Sequence, residues 1–165
     1  MESIQSLLEK ASQATIAMKL LSDDQKADIL RSLAAKIREN TATIIAENKL
    51  DLDRMPDADP KKDRLLLSPT RIEDLAKSVE DIAALPDPSN RLLSERILDN
   101  GLLVQKITVP LGVVGVIYES RPNVTIDVAA LCIQSGNVCV LRGGTDAFYT
   151  NKFLVALIQE VLASF

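Results

Sequence analysis

The sequence predicts an α/β protein, and three observations carry that expectation. An apolar run from Val113 to Tyr118 is followed by an Arg121-Pro122-Asn123 turn, a helix and a second apolar run, Val138 to Leu141, the pattern of a parallel βαβ unit. Residues 1–90 carry helical apolar spacing. Between these parts stands Asp99-Asn100-Gly101, a short-range hairpin signal.

The elements follow in order. Residues from about Ile4 to Leu20 read as an amphipathic helix. Ser22-Asp23-Asp24-Gln25 fits a capping box that opens a second helix through about Arg38, whose apolar Ile29, Leu33 and Ile37 recur at i, i+4 and i+8. A third helix runs from about Thr41 to Asp53, and Pro56 and Pro60 break its pattern. Ser68 then gives an N-cap with Pro69 at the first helical position, starting a helix to about Ala84 that Pro86 and Pro88 end. Covering a sheet or a partner is the role expected of these helices.

Asn100-Gly101 tolerates the positive φ angles of a two-residue type I′ turn, joining strands at about 92–98 and 102–109. A two-stranded ribbon is marginal alone in water, so this one needs other strands to pair with. In the βαβ unit, Pro122 cannot continue a strand ladder and biases Arg121 away from helical angles. The helix after it sets Val124, Val128, Leu131 and Cys132 on one face and stops at Gly136 as a C′ residue. A last helix, 146–164, carries apolar Phe153, Leu157 and Val161; with no terminating glycine or proline, the chain reads as a fragment.

Composition excludes several classes. With 165 residues, 47% of them hydrophobic, the chain can bury a core, and a net charge of −4 without a basic stripe argues against nucleic-acid binding. No apolar run approaches the ~18 residues of a membrane span, and the first residues are not a secretory leader, so a cytoplasmic protein is expected. The absence of histidine removes Ser-His-Asp and Cys-His arrangements and every histidine-containing zinc site. Chemistry by these residues alone would need carboxylates, lysine or an activated thiol. Cys132 and Cys139 are expected as buried packing thiols, with no metal or redox spacing and no disulfide framework. Asp23, Asp24, Asp51, Asp53, Asp57 and Asp59 fall in caps and loops beside Lys and Arg and are expected as solvated surface.

Ligands of open α/β sheets collect beyond the carboxyl ends of the strands. Here those ends carry Arg121, Asn123, Arg142, Gly143, Gly144 and Thr145.

The segments Gly115-Val-Ile-Tyr-Glu-Ser-Arg-Pro-Asn-Val-Thr125 and Leu141-Arg-Gly-Gly144 resemble the gamma-glutamyl phosphate reductase (glutamate-5-semialdehyde dehydrogenase) family of the aldehyde dehydrogenase superfamily. The wider superfamily usually has Pro-Trp-Asn at the first place and Lys-Pro-Ser/Ala-Glu at the second. The resemblance covers essentially the whole chain but only the first two-fifths or so of the family's usual length. It implies the N-terminal part of an aldehyde-dehydrogenase-like fold: helices of the cofactor domain over 1–90, an oligomerisation hairpin over 91–110, and the start of a Rossmann-like NADPH-binding domain over 111–165. The family's catalytic domain, with its nucleophilic cysteine, lies further along than Phe165, so the isolated chain is expected to be inactive.

The activity the resemblance implies for a complete enzyme is NADPH-dependent reduction of L-glutamyl 5-phosphate to L-glutamate 5-semialdehyde and phosphate in proline biosynthesis. A homo-oligomer through the 91–110 hairpin is expected, and glutamate 5-kinase is a further partner the resemblance allows. Asn123 matches the superfamily asparagine whose amide helps hold the oxyanion; the local alternative is a helix N-cap. Arg142 matches a lysine that touches the adenosine ribose, and Thr145 lies where many NAD-dependent members carry glutamate. A hydroxyl beside an arginine favours a 2′-phosphate and hence NADPH; the alternative for Arg142 is an ion pair with Asp146, which replaces the glutamate common there in the reductase. Arg121 could receive the substrate's acyl phosphate or carboxylate, or be neutralised by Glu119. Gly143 and Gly144 permit a tight loop and close backbone approach to the cofactor. Two other readings remain: another acyl-phosphate or aldehyde-oxidising member of the superfamily, or a non-catalytic nucleotide-binding or assembly module pairing through the hairpin.

Overall fold

Local sequence signals set most element boundaries. In the computed structural model, which describes residues 3–165, α1 (Ile4–Leu20) starts where Ser3 accepts the Ser6 backbone N–H, and α2 (Asp23–Glu39) starts with both hydrogen bonds of the Ser22/Gln25 capping box. α3 (Thr41–Leu52) follows almost directly. A single turn, α4 (Lys62–Leu65), fills the proline-broken stretch that the sequence left without an element. Ser68 caps α5 (Pro69–Ala83), with Pro69 in the first turn.

The chain then forms an antiparallel hairpin, β1 (Leu92–Ile97) and β2 (Leu103–Ile107), followed by β3 (Val113–Ile117), α6 (Pro122–Gln134) and β4 (Val138–Arg142). A 3₁₀ turn at Thr145–Ala147 leads into α7 (Phe148–Leu162). β3 and β4 pair in parallel, from Val113↔Val138 to Ile117↔Arg142, so β3-α6-β4 is the expected βαβ unit.

The hairpin turn differs from expectation. Gly101 donates to the Leu98 carbonyl and Leu98 to the Leu102 carbonyl, and only Gly101 has positive φ, +82°. The loop is therefore three residues long, Asp99-Asn100-Gly101, with glycine alone in the left-handed region, and not a two-residue type I′ turn. Leu93 is a bulge between Leu92 and Ser94. At the other end of the ribbon Thr108 fastens the base, accepting from the Arg91 N–H and donating to the Pro88 carbonyl.

The core is helical. Ile29, Leu30, Leu33 and Ile37 of α2 meet Ile72, Leu75, Ala76 and Val79 of α5, and α6 and α7 close over them with Ile126, Ala129, Leu154 and Leu157. The helices thus pack mainly on each other, while α1 lies against β4 and β3. The buried face of α6 is Thr125, Ile126, Ala129, Ala130 and Ile133 with Cys132, whereas Leu131 is half exposed and Val124 and Val128 are only partly covered.

Gly136 ends α6 at φ +70°, its N–H reaching Ile133 O and that of Asn137 reaching Cys132 O, a Schellman closure. Asn137 continues the stitching, its Oδ1 accepting from Gly112 N just before β3. Asp51 is a correction to the reading of the acidic residues as surface. It is fully buried at the end of α3 and accepts from the backbone N–H groups of Tyr149 and Thr150 and the Thr150 hydroxyl, satisfying the orphan donors that open α7. A second buried carboxylate, Asp87, pairs with Lys26 and accepts two bonds from Ser89, joining the foot of the hairpin to α2. No helix among the described residues is long and apolar enough to cross a membrane.

Candidate functional site

The parallel pairing brings the ends of β3 and β4 side by side, and two loops leave them. Ser120 in the first donates its hydroxyl to Asp146 Oδ2 in the second at 2.7 Å. Beneath them Tyr118, Thr125 and Asn151 form a chain, with Tyr118 Oη 2.5 Å from Thr125 Oγ1 and Thr125 donating to Asn151 Oδ1 at 2.8 Å. Burial pushes the Tyr118 phenol above its usual range, and the Thr125 bond draws it partly back. A Cβ at Gly143 would collide with Asn151 Nδ2 and stand 3.2 Å from the Tyr118 ring. That close packing accounts for glycine at 143; Gly144 has ordinary space around it.

Asn123 is the second residue of α6, not its N-cap; Arg121 holds the cap position and makes no side-chain capping bond. Proline at N1 has no N–H to satisfy, and the Asn123 amide turns instead to Asp127 one turn on, Nδ2 to Oδ2 3.2 Å. Asp127 Oδ1 accepts from Ser78 of α5 at 3.3 Å. Burial raises the Asp127 carboxyl above the usual carboxylate range, and the Asn123 and Ser78 donors oppose that rise.

These three residues line a cleft of about 410 Å³ between α5, the α4 segment and the start of α6, together with Arg64, Arg71 and Arg121. A smaller hollow of about 160 Å³ adjoins it, where Lys61, Arg64 and Arg121 share the lining with Glu119, Tyr118 and Ser120. Arg71 is engaged by Asp63, but Arg121 has no ion pair among the described residues, so Glu119 does not neutralise it. The cleft therefore brings Arg64, Arg71 and Arg121 together with Asp63, Asp74 and Asp127, and the Asn123 amide, one N–H of which is given to Asp127, lies among them.

Sequence reasoning reached Arg121 and Asn123, and the structure brings them to one cleft. Arg142, Gly143, Gly144 and Thr145 line neither hollow; they sit at the end of β4, with Arg142 and Thr145 exposed. The expected alternative of an Arg142–Asp146 ion pair is not formed, and Asp146 instead accepts from Ser120. Asp127, Ser78 and Arg64 were missed. The i, i+4 spacing of Asn123 and Asp127 was a readable signal, whereas Ser78 and Arg64 arrive by tertiary packing.

Cys132 and Cys139 lie away from the cleft. Both thiols are free; Cys132 is buried, and the neighbouring Cys139 together with burial pushes its thiol upward, whereas Cys139 is only partly buried, a correction to the expectation of two buried thiols, and its thiol is held below the ordinary range by Cys132. An elevated thiol is a poor nucleophile, which fits a packing role for Cys132.

Helices packed around a parallel βαβ unit and preceded by a hairpin match the N-terminal part of an aldehyde-dehydrogenase-like fold. The fold is shared with a probable aldehyde dehydrogenase from Listeria monocytogenes, TM-score 0.66 at 17% identity over 97% of this chain and 33% of that one. Along nearly its whole length the chain is similar to proteins named gamma-glutamyl phosphate reductase. It is 53% identical to that of Chlorobium phaeobacteroides over 161 residues, 98% of this chain and 39% of the relative, and 49% identical to that of Legionella pneumophila over 158 residues, 96% and 38%. The crystal structures of the reductases from Thermotoga maritima and Saccharomyces cerevisiae match at TM-scores of 0.89 and 0.92, each 32% identical. They are matched over 94% and 100% of this chain and 38% and 43% of theirs. The chain thus spans about two-fifths of the length of the curated relatives it matches. No family model matches it.

Proposed function

We propose that the chain supplies the oxyanion-holding turn and part of the cofactor site of a gamma-glutamyl phosphate reductase, the cytoplasmic enzyme that reduces L-glutamyl 5-phosphate to L-glutamate 5-semialdehyde with release of phosphate. The observation that carries this reading is the Asn123 amide, held at the carboxyl end of β3 in a cleft that also presents Arg121. An amide donor needs no deprotonation and suits charge developing on a carbonyl oxygen, while a guanidinium fork suits the phosphate or carboxylate of the substrate. Bound at the end of β4, NADPH would supply the hydride. Arg142 and Thr145 would hold its 2′-phosphate there, with Gly143 and Gly144 forming the loop. In this reading 1–90 and 111–165 serve the cofactor domain, and the exposed 91–110 hairpin pairs with a second subunit. A homo-oligomer is expected, with glutamate 5-kinase a further candidate partner.

The test uses a complete reductase carrying these residues, followed in reverse as NADP-dependent oxidation of glutamate 5-semialdehyde in phosphate. Asn123→Ala is expected to lower turnover by roughly 10²–10³ while NADPH affinity stays nearly constant. Asn123→Asp should be at least as poor, since a carboxylate repels the developing charge and stands one turn from Asp127. Full activity in either variant overturns the oxyanion role.

A further inference from the structure

A side-chain amide has two ends, and only one helps an oxyanion. Turned by half a revolution about its last bond, Asn123 would present an oxygen lone pair to the charge it is meant to hold. Something must select the NH₂ end. We propose that Asp127 is the positioning residue for Asn123, fixing the amide so that one N–H engages the carboxylate and the other is left for the carbonyl oxygen of a substrate; the inference rests on the oxyanion reading of Asn123 given above.

Three observations carry it. An ionised carboxylate only accepts, so Asp127 Oδ2 at 3.2 Å admits the Nδ2 end of Asn123 and rejects Oδ1. Asp127 is itself held, since Ser78 of the neighbouring helix α5 donates to its other oxygen at 3.3 Å. No ion pair to Asp127 forms among the described residues, although Arg64, Arg71 and Arg121 line the same cleft, so both oxygens are given to the neutral donors. The chain Ser78–Asp127–Asn123 crosses from α5 to α6, a rigid support for a group that must not reorganise during reaction.

An ordinary i, i+4 pair would only steady the helix, and a double-mutant cycle separates the two roles. In the complete reductase, Asp127→Asn keeps the side chain's size but can offer either a donor or an acceptor to the amide. It is expected to lower kcat about ten-fold, with KM for the acyl phosphate and for NADPH within about two-fold and the melting temperature nearly unchanged. In the Asn123→Ala background the same change should cost nothing further, because the group it positions is gone. Ser78→Ala should give the same pattern at about three-fold, which keeps the idea testable if the Asp127 variant folds poorly. An unchanged kcat for Asp127→Asn, or an equal fractional loss in both backgrounds, overturns the positioning role while leaving the oxyanion reading intact. A fully active Asn123→Ala single variant would instead remove the oxyanion reading and the positioning role together.

Discussion

Asp51 closes the start of a helix 99 residues further along the chain: its Oδ2 accepts the Thr150 backbone N–H at 2.8 Å and the Thr150 hydroxyl at 2.7 Å, while Oδ1 takes the Tyr149 N–H. Arg54 adds a flank, 3.7 Å from Asp51 and over the Tyr149 ring. Asp51→Ala should leave buried N–H groups without an acceptor and cost about 3 kcal/mol, read as a lower denaturant midpoint with an unchanged slope. Asp51→Asn retains one acceptor and should lose roughly half of that. A loss below about 0.5 kcal/mol for the alanine variant would show that water replaces the cap.

The Lys26–Asp87 pair predicts acid sensitivity. Burial by itself would raise the Asp87 carboxyl, but Lys26 and the two Ser89 donors outweigh it and hold the group down at about 2 against its ordinary 3.8. A folded-state value below the unfolded one contributes stability above about pH 4 and loses it as pH falls toward 2. The expected loss is about 2 kcal/mol across that window, measured by denaturation at stepped pH. Lys26→Met strands a buried carboxylate and should cost about 3–5 kcal/mol at neutral pH. Unchanged stability in that variant would mean that the pair adds nothing.

In the proposed reading, cofactor choice rests on Arg142. Its replacement by alanine in a complete reductase should raise KM for NADPH about ten-fold or more and leave KM for NADH nearly unchanged, since only the former carries the 2′-phosphate. Equal losses with both cofactors would remove Arg142 from the phosphate site.

Cys132 and Cys139 together give a control. Converting both to alanine should leave turnover within a few-fold of the parent and cost on the order of 1 kcal/mol per site in stability. Abolished turnover from either single change would place the nucleophile here.

What could be read from the sequence was what neighbouring residues decide among themselves. Ser22 with Gln25, Ser68 with Pro69, and Gly136 mark helix ends by local hydrogen bonding and backbone freedom, and each does so in the structure. The α6 face was misjudged because Val124 to Ile133 is apolar almost throughout, leaving no polar stripe to orient the helix. The hairpin was placed correctly, but its turn type follows from the strand register, in which Ile97 faces Leu103 and Leu98 bonds to Leu102, leaving three residues for the loop. Asp51 and Asp87 look like surface acids until partners from other elements arrive, Thr150 for one and Lys26 for the other. At the site, Asn123 and Arg121 were legible from the strand-turn-helix grammar. Ser78 was not, since only packing of α5 on α6 brings it to Asp127.

The hairpin of β1 and β2 is exposed along nearly its whole length and fastened at its foot through Thr108 and Asp87, whereas the helices on both sides of it in sequence share one core. Substitutions along the ribbon therefore touch neither the cleft at Asn123 nor the helical interior. Selection can therefore rewrite the exposed faces of the ribbon while the residues around Asn123 stay as they are.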